Sequence, residues 1–197
     1  MTKSAINLKL VERSFSDLAT KIISSVGENP ERDGLKDTPS RVAKAYTELL
    51  SGYCEHPQDV IKLFDSNGFH DLITVTNIEF YSLCEHHIIP FFGEVHIGYV
   101  PNGKILGLSK FARIVNIYSR RLQTQENLTK EIFDVLENNL NPKGLVVYIG
   151  AKHLCINMRG IREKGYSTKT IIKNGIFLKR ADLIDQFFRD IESKEIL

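Results

Sequence analysis

The stretch Leu72-Ile73-Thr74-Val75-Thr76-Asn77-Ile78-Glu79-Phe80 runs into Cys84-Glu85-His86-His87, and Glu94-Val95-His96-Ile97-Gly98-Tyr99-Val100 follows it. The first segment is β-rich. In the last, Val95, Ile97 and Tyr99 face one way and His96 the other, the period of two that a strand imposes. Pro101-Asn102-Gly103 makes the turn out. Two strand segments therefore flank a thiol, a carboxylate and two imidazoles packed into four residues. That cluster is costly as scaffold and useful as chemistry.

Downstream the period changes to that of a helix, with Leu108, Phe111, Ala112 and Val115 on one face. A second helix runs from near Glu126 to Asn139, and Pro142 and Gly144 break it. Leu145 to Ile156 reads as a long strand, Ser167 to Phe177 as a last one, and Ala181 to Ile191 as a closing helix. Upstream, Phe15, Leu18, Ala19, Ile22 and Val26 recur at helical spacing until Gly27 and Pro30. Thr38 is a candidate N-cap with Pro39 at the first helical position, and Val42, Ala45, Tyr46, Leu49 and Leu50 form the stripe of a second helix that Gly52 ends. The sequence thus predicts an α+β chain. A helical arm (1–70) precedes a single functional unit (71–197) of order ββααββ, most simply an antiparallel sheet with its helices on one face.

With 197 residues the chain can bury one substantial core. Its net charge of +2 gives no reason to expect nucleic acid, although a small phosphorylated ligand needs only a local basic cluster. There is no membrane-length apolar run, and Met1 to Leu10 lacks the layout of a signal peptide, so a cytoplasmic location is expected. Three cysteines, an odd count, argue against a disulfide framework. Cys54 lies beyond a helix end, in Ser51-Gly52-Tyr53-Cys54-Glu55, and reads as structural or incidental. Cys84 and Cys155 each have a histidine within three residues.

A thiolate and an imidazole three positions apart, as in Cys84 and His87, can reach one metal ion from a single turn, and Zn²⁺ is the usual occupant of such a site. On a regular Leu145 strand His153, Cys155, Asn157 and Arg159 would share a face with Leu145, Val147 and Ile149, which carries that face from core to cleft. Cys155 is then the candidate third ligand. Three protein ligands leave one tetrahedral position open, the catalytic pattern; a fourth from His86 or His153 would make the site structural. Otherwise both histidines stand beside the metal as candidate proton-transfer groups. Ser109, Lys110 and Arg113 occupy the first turns of a helix, where free N–H groups also favour an anion. Arg41 and Lys44 repeat the spacing in the arm, and Arg159 joins the cleft strand. Gln125-Glu126 is either a helix start or a polar pair that reads a base edge.

These residues resemble the GTP cyclohydrolase I family. The likeness is carried by Phe80-Tyr81-Ser82-Leu83-Cys84-Glu85-His86-His87, Pro90-Phe91-Phe92-Gly93, Gly107-Leu108-Ser109-Lys110 through Arg113, Arg120-Arg121-Leu122-Gln123, Gln125-Glu126-Asn127-Leu128-Thr129, and His153-Leu154-Cys155 with Arg159-Gly160. The arm agrees in Asp37-Thr38-Pro39-Ser40-Arg41-Val42-Ala43-Lys44. The resemblance implies a tunnelling fold and a homodecamer of two pentamers. It also implies a zinc-dependent opening of the GTP imidazole ring at C8, with release of formate and rearrangement to 7,8-dihydroneopterin triphosphate, at the head of folate or other pterin synthesis. By motif, Cys84, His87 and Cys155 become zinc ligands, and His86, His153 and Ser109 catalytic groups. Gln125 and Glu126 bind guanine. Lys110, Arg113 and Arg159 hold the triphosphate, joined by Arg41 and Lys44 of a neighbouring subunit. One departure stands out: Tyr166 takes a position where the family often carries serine, and Ile171-Ile172-Lys173 replace smaller polar residues, which bears on packing or the pocket rim. A binder without turnover would have no need of all five Cys and His residues, and a cysteine nucleophile would leave the second Cys–His pair idle.

Overall fold

A computed structural model describes residues 7–193. Met1 to Ile6, on which the expectation of no export signal partly rests, lie outside the described residues. The chain begins with α1 (Leu8–Ser25) and α2 (Thr38–Leu49). They pack as a pair, and Phe15 stacks on Tyr46 at 4.1 Å. The predicted stripe on α1 divides: Ala19 and Ile23 are buried, whereas Leu18, Ile22 and Val26 remain 50%, 53% and 69% exposed. Thr38 is the first helical residue rather than the cap, which Asp37 occupies.

The main sheet has five strands, β2 (Ile73–Cys84), β3 (Pro90–Val100), β5 (Leu122–Gln123), β6 (Gly144–His153) and β7 (Thr168–Lys173), in the order β5-β2-β3-β6-β7. All neighbours are antiparallel except the two-residue β5, which runs parallel to β2. The ribbon of β1 (Leu63–Asp65) with β4 (Lys104–Leu106) has no counterpart in the sequence reading. Its strands are too short to show a period.

One face of the sheet carries α3 (Leu108–Ser119) and α4 (Gln125–Leu140). Val95, Ile97 and Tyr99 from β3 and Leu145, Val147 and Ile149 from β6 meet Phe111, Ile114, Leu128 and Ile132 there. Each such side chain contributes roughly 1.5–3 kcal/mol by leaving water. The buried stripe of α3 is Phe111, Ile114, Val115 and Ile117; Leu108 and Ala112, predicted to share it, are exposed. On the opposite face α6 (Ala181–Glu192) sets Phe187 against Val146 and Val100. Helices therefore cover both faces, not one. The whole is a mixed α+β unit consistent with a tunnelling-type fold.

The predicted strand over Leu145–Ile156 is cut short. The last β3–β6 pair is Phe91 with His153, and the next residue of β3 is Pro90, which has no N–H to extend the ladder. Strand β7 has ended its pairing two residues earlier, at Ala151. Without partners the chain folds into one helical turn, α5 (Leu154–Asn157), closed by the Met158 N–H on the Leu154 carbonyl. Cys155, Asn157 and Arg159 therefore do not continue the face of the strand.

Candidate active site

The site lies at the end of the sheet where β2, β3 and β6 all stop. Cys84 is the last residue of β2, and its carbonyl accepts the N–H groups of His87 (3.2 Å) and Ile88 (2.8 Å), while its own N–H donates to Ile89 (2.9 Å). Ile88 closes this turn at φ +54°, a left-handed conformation rarely adopted by a β-branched residue. The N–H of Glu85 donates to Gln123 of β5, tying the turn to the α3–α4 connection. The turn brings both imidazoles back over the thiol: His87 Nδ1 is 3.7 Å from Cys84 Sγ and His86 Nδ1 3.8 Å.

Cys155 arrives from α5, and one donor atom each from Cys84, His87 and Cys155 lie within 4.8 Å of one another. The two thiols are buried and the imidazole is exposed. Burial, and after it the neighbouring Cys84, push the Cys155 thiol up. Two ionised sulfurs this close repel each other, and a divalent cation between them removes that cost. A tetrahedral zinc with sulfur at about 2.3 Å spaces its donors a little under about 4 Å apart. The trio fits such an ion by the chemistry of its donors, and the Cys84–His87 pair, 3.7 Å apart, matches that spacing. His86 flanks it with a largely exposed side chain, its Nε2 3.7 Å from Glu85 Oε1.

His153, at the end of β6, stacks on Phe91 across the strand pair at 4.7 Å with a 2° interplanar angle. Its Nε2 lies 2.9 Å from Gln125 Oε1. Burial lowers its pKa, and the charge of Glu126 opposes that shift. Glu126 itself is exposed in the first turn of α4, whereas Gln125 is buried and its amide is engaged within the chain. Arg159 reaches back from beyond α5 to the Cys155 carbonyl at 3.4 Å.

The remaining candidates sit apart from this cluster in the chain's own architecture. Ser109 and Arg113 are exposed and Lys110 half-buried on the first turns of α3. Arg41 is exposed on α2 and pairs with Asp37 at 3.1 Å; Lys44, three residues on, is also exposed. Tyr166 lies exposed in the loop before β7. Sequence reasoning gave no role in the site to four contributors. Phe91 supplies the surface on which His153 lies, and only strand register reveals it. Thr129 and Thr170 hold Gln125 from behind. Glu85 sits beside His86.

A tunnelling-type unit with a Cys–His–Cys donor trio and histidines at its edge defines the class of protein. Within that class the chain belongs to the GTP cyclohydrolase I family, whose profile it matches over residues 15–192. It is 46% identical to GTP cyclohydrolase 1 of Campylobacter curvus over 187 residues, 94% of this chain and 98% of the relative. Over 185 residues it is 45% identical to the Campylobacter jejuni protein of that name, covering 93% and 97% of the two chains. The Clostridium kluyveri protein of that name is 43% identical over 183 residues, 93% of this chain and 99% of the other.

Proposed function

We propose that this site performs the GTP cyclohydrolase I reaction: hydrolytic opening of the guanine imidazole ring of GTP at C8, loss of formate, and rearrangement to 7,8-dihydroneopterin triphosphate. The observation that carries the reading is the convergence of Cys84, His87 and Cys155, with His86 and His153 alongside, in a chain of this family. Cys84, His87 and Cys155 would hold Zn²⁺, which when bound supplies the Lewis acidity that lets water act as a nucleophile near neutral pH.

The chain's own residues do the rest. His86, exposed and 3.7 Å from the Glu85 carboxylate, delivers a proton to N7, which makes C8 electrophilic. Glu85 stands beside that imidazole and orients it. His153 moves the proton that opens the ribose, and Ser109 assists the later rearrangement. Glu126, an exposed carboxylate, accepts from the N1 and 2-amino donors of guanine, with Gln125 buried beside it. Lys110 and Arg113 at the start of α3, with Arg159, hold the triphosphate. Arg41 and Lys44 come from a neighbouring subunit of a decamer built from two pentamers. The enzyme works in the cytoplasm, at the entry to folate or another pterin pathway. No helix among the described residues is long and apolar enough to cross a membrane.

Zinc-loaded protein incubated with GTP should release formate and give a product that oxidises to a fluorescent neopterin. Absence of both from metal-replete, assembled protein would refute the assignment.

A further inference from the structure

Behind His153 lies a closed circuit of buried hydrogen bonds whose direction can be worked out atom by atom. The Gln125 amide nitrogen is 3.0 Å from the Ile149 carbonyl and 3.1 Å from the Thr168 carbonyl. Both oxygens can only accept, so they fix Nε2 on that side, and Oε1 must face His153. An oxygen 2.9 Å from His153 Nε2 requires that nitrogen to carry the proton. The hydroxyls complete the ring. Thr129 donates to the backbone carbonyl of Gln125 (2.7 Å), so across the 2.7 Å contact between the two threonines Thr170 donates to Thr129. Thr170 Oγ1 is left as a third acceptor 3.1 Å from Gln125 Nε2, so the two hydrogens of that nitrogen are shared among Thr170 and the Ile149 and Thr168 carbonyls. Gln125 is 1% exposed and Thr129 fully buried. Neither side chain has a polar atom left over for a base edge.

We infer that Gln125 is a positioning residue for His153 rather than a reader of the purine, and that Thr170, its hydroxyl oriented by Thr129, helps the Ile149 and Thr168 carbonyls hold the amide in the orientation this needs. The inference deepens the proposed function and rests on it for its catalytic meaning. Gln125 keeps the proton on Nε2 and the ring flat against Phe91. Nδ1, which has no hydrogen-bond partner among the described residues, is then the nitrogen that exchanges protons with the substrate. Base recognition falls to Glu126.

The test uses the zinc-loaded, full-length protein. Gln125→Met, close in shape but unable to accept a hydrogen bond, should lower kcat roughly tenfold or more with KM for GTP unchanged. Combined with His153→Ala it should cost no more than His153→Ala alone, as for two residues acting as a unit. Thr170→Val should show a smaller loss in kcat that Thr170→Ser restores, and it carries the test should Gln125→Met fail to assemble. Independently of turnover, the Nε2–H proton of His153 should give an exchange-protected ring N–H resonance, identified by its absence in His153→Ala and lost in Gln125→Met. A raised KM with kcat intact would return Gln125 to the purine and overturn the inference. So would a protected His153 proton that survives in Gln125→Met. Should the parent protein fail to turn over GTP, the functional assignment falls, and the proton resonance still decides whether Gln125 anchors the ring.

Discussion

At the scale of single residues, Cys155 and His153 stand two positions apart with different work. The Cys155 thiol is buried against Cys84, so Cys155→Ser leaves a site with one soft ligand fewer and a buried hydroxyl in its place. Zinc content measured by elemental analysis should fall well below one ion per chain, and formate release with it. His153→Ala removes a ring held by Phe91 and Gln125, not by the metal donors, so zinc should remain while turnover drops about 10²-fold or more. An empty site in His153→Ala would make that histidine a fourth ligand and the metal structural. A histidine outside the site matters for stability. His96 is 3% exposed, accepts the Asn77 N–H at Nδ1 (3.2 Å), and is pushed down to about 4 by burial. Around it lie Glu94, whose carboxylate is 3.7 Å from Nε2, the Tyr148 ring, and the Glu79, Lys152 and Lys169 side chains of the same cavity. In the unfolded chain a histidine titrates near 6.5, so between there and about 4 the unfolded state binds the extra proton. Stability from this group is full above about 6.5 and declines as pH falls, by about 2 kcal/mol at pH 5. Melting temperature followed from pH 7.5 to 5 should therefore drop further in the parent than in His96→Asn.

At the scale of elements, the strands were legible wherever burial imposed a period. Val95, Ile97 and Tyr99 announce β3, and Leu145, Val147 and Ile149 announce β6, because one face of each meets α3 and α4. Where β6 ends was not legible, since the cause is Pro90 on another strand and not any feature of Leu154 or Cys155. The same non-locality hid the α6 face of the sheet. Alternation shows that His96 points away from Val95, but not that a helix some 90 residues later covers the same side at Gly98. That contact is tight. A Cβ at Gly98 would sit 2.8 Å from the Phe187 ring and 2.9 Å from Val146 Cγ1, and Phe187 is fully buried. Gly98→Ala should therefore cost about 1–3 kcal/mol through displacement of α6, seen as a lower urea midpoint, with zinc content unchanged because the Cys84 turn lies at the far end of β2 and β3. Gly52 makes the corresponding contact for the arm. A Cβ there would meet the Ile117 carbonyl at 2.0 Å, and backbone cannot yield as a side chain can. Arg121 closes the same junction by donating to the Gly52 carbonyl at 3.0 Å while lying over Tyr118 at 4.8 Å.

At the scale of the whole molecule, the sequence revealed the ingredients of the site but not their partition between copies. Cys84, His87 and Cys155 converge within one chain, because sheet register and one helical turn suffice to bring them together. Arg41 and Lys44 stand exposed on α2, and spacing alone cannot say whose triphosphate they face. The arm itself argues for a second copy. Helix α1 buries only Ala19 and Ile23 among its 18 residues, while Leu10, Leu18, Ile22 and Val26 stay at least half exposed. The angular spread of these residues exceeds what α2 alone covers, so an uncovered apolar strip runs along the helix. In the proposed decamer that strip would be buried between chains. Ile22→Glu then places a carboxylate where a copy of the chain would pack, whereas in a lone chain it changes only an exposed position. Sedimentation should show the assembly broken into smaller species, with the folded core and zinc content retained. On the proposed function, in which the triphosphate would lose Arg41 and Lys44 of the neighbour, turnover should fall with the assembly and the loss should appear as a raised KM for GTP. An Ile22→Glu protein that sediments as the parent does would remove α1 from the interface.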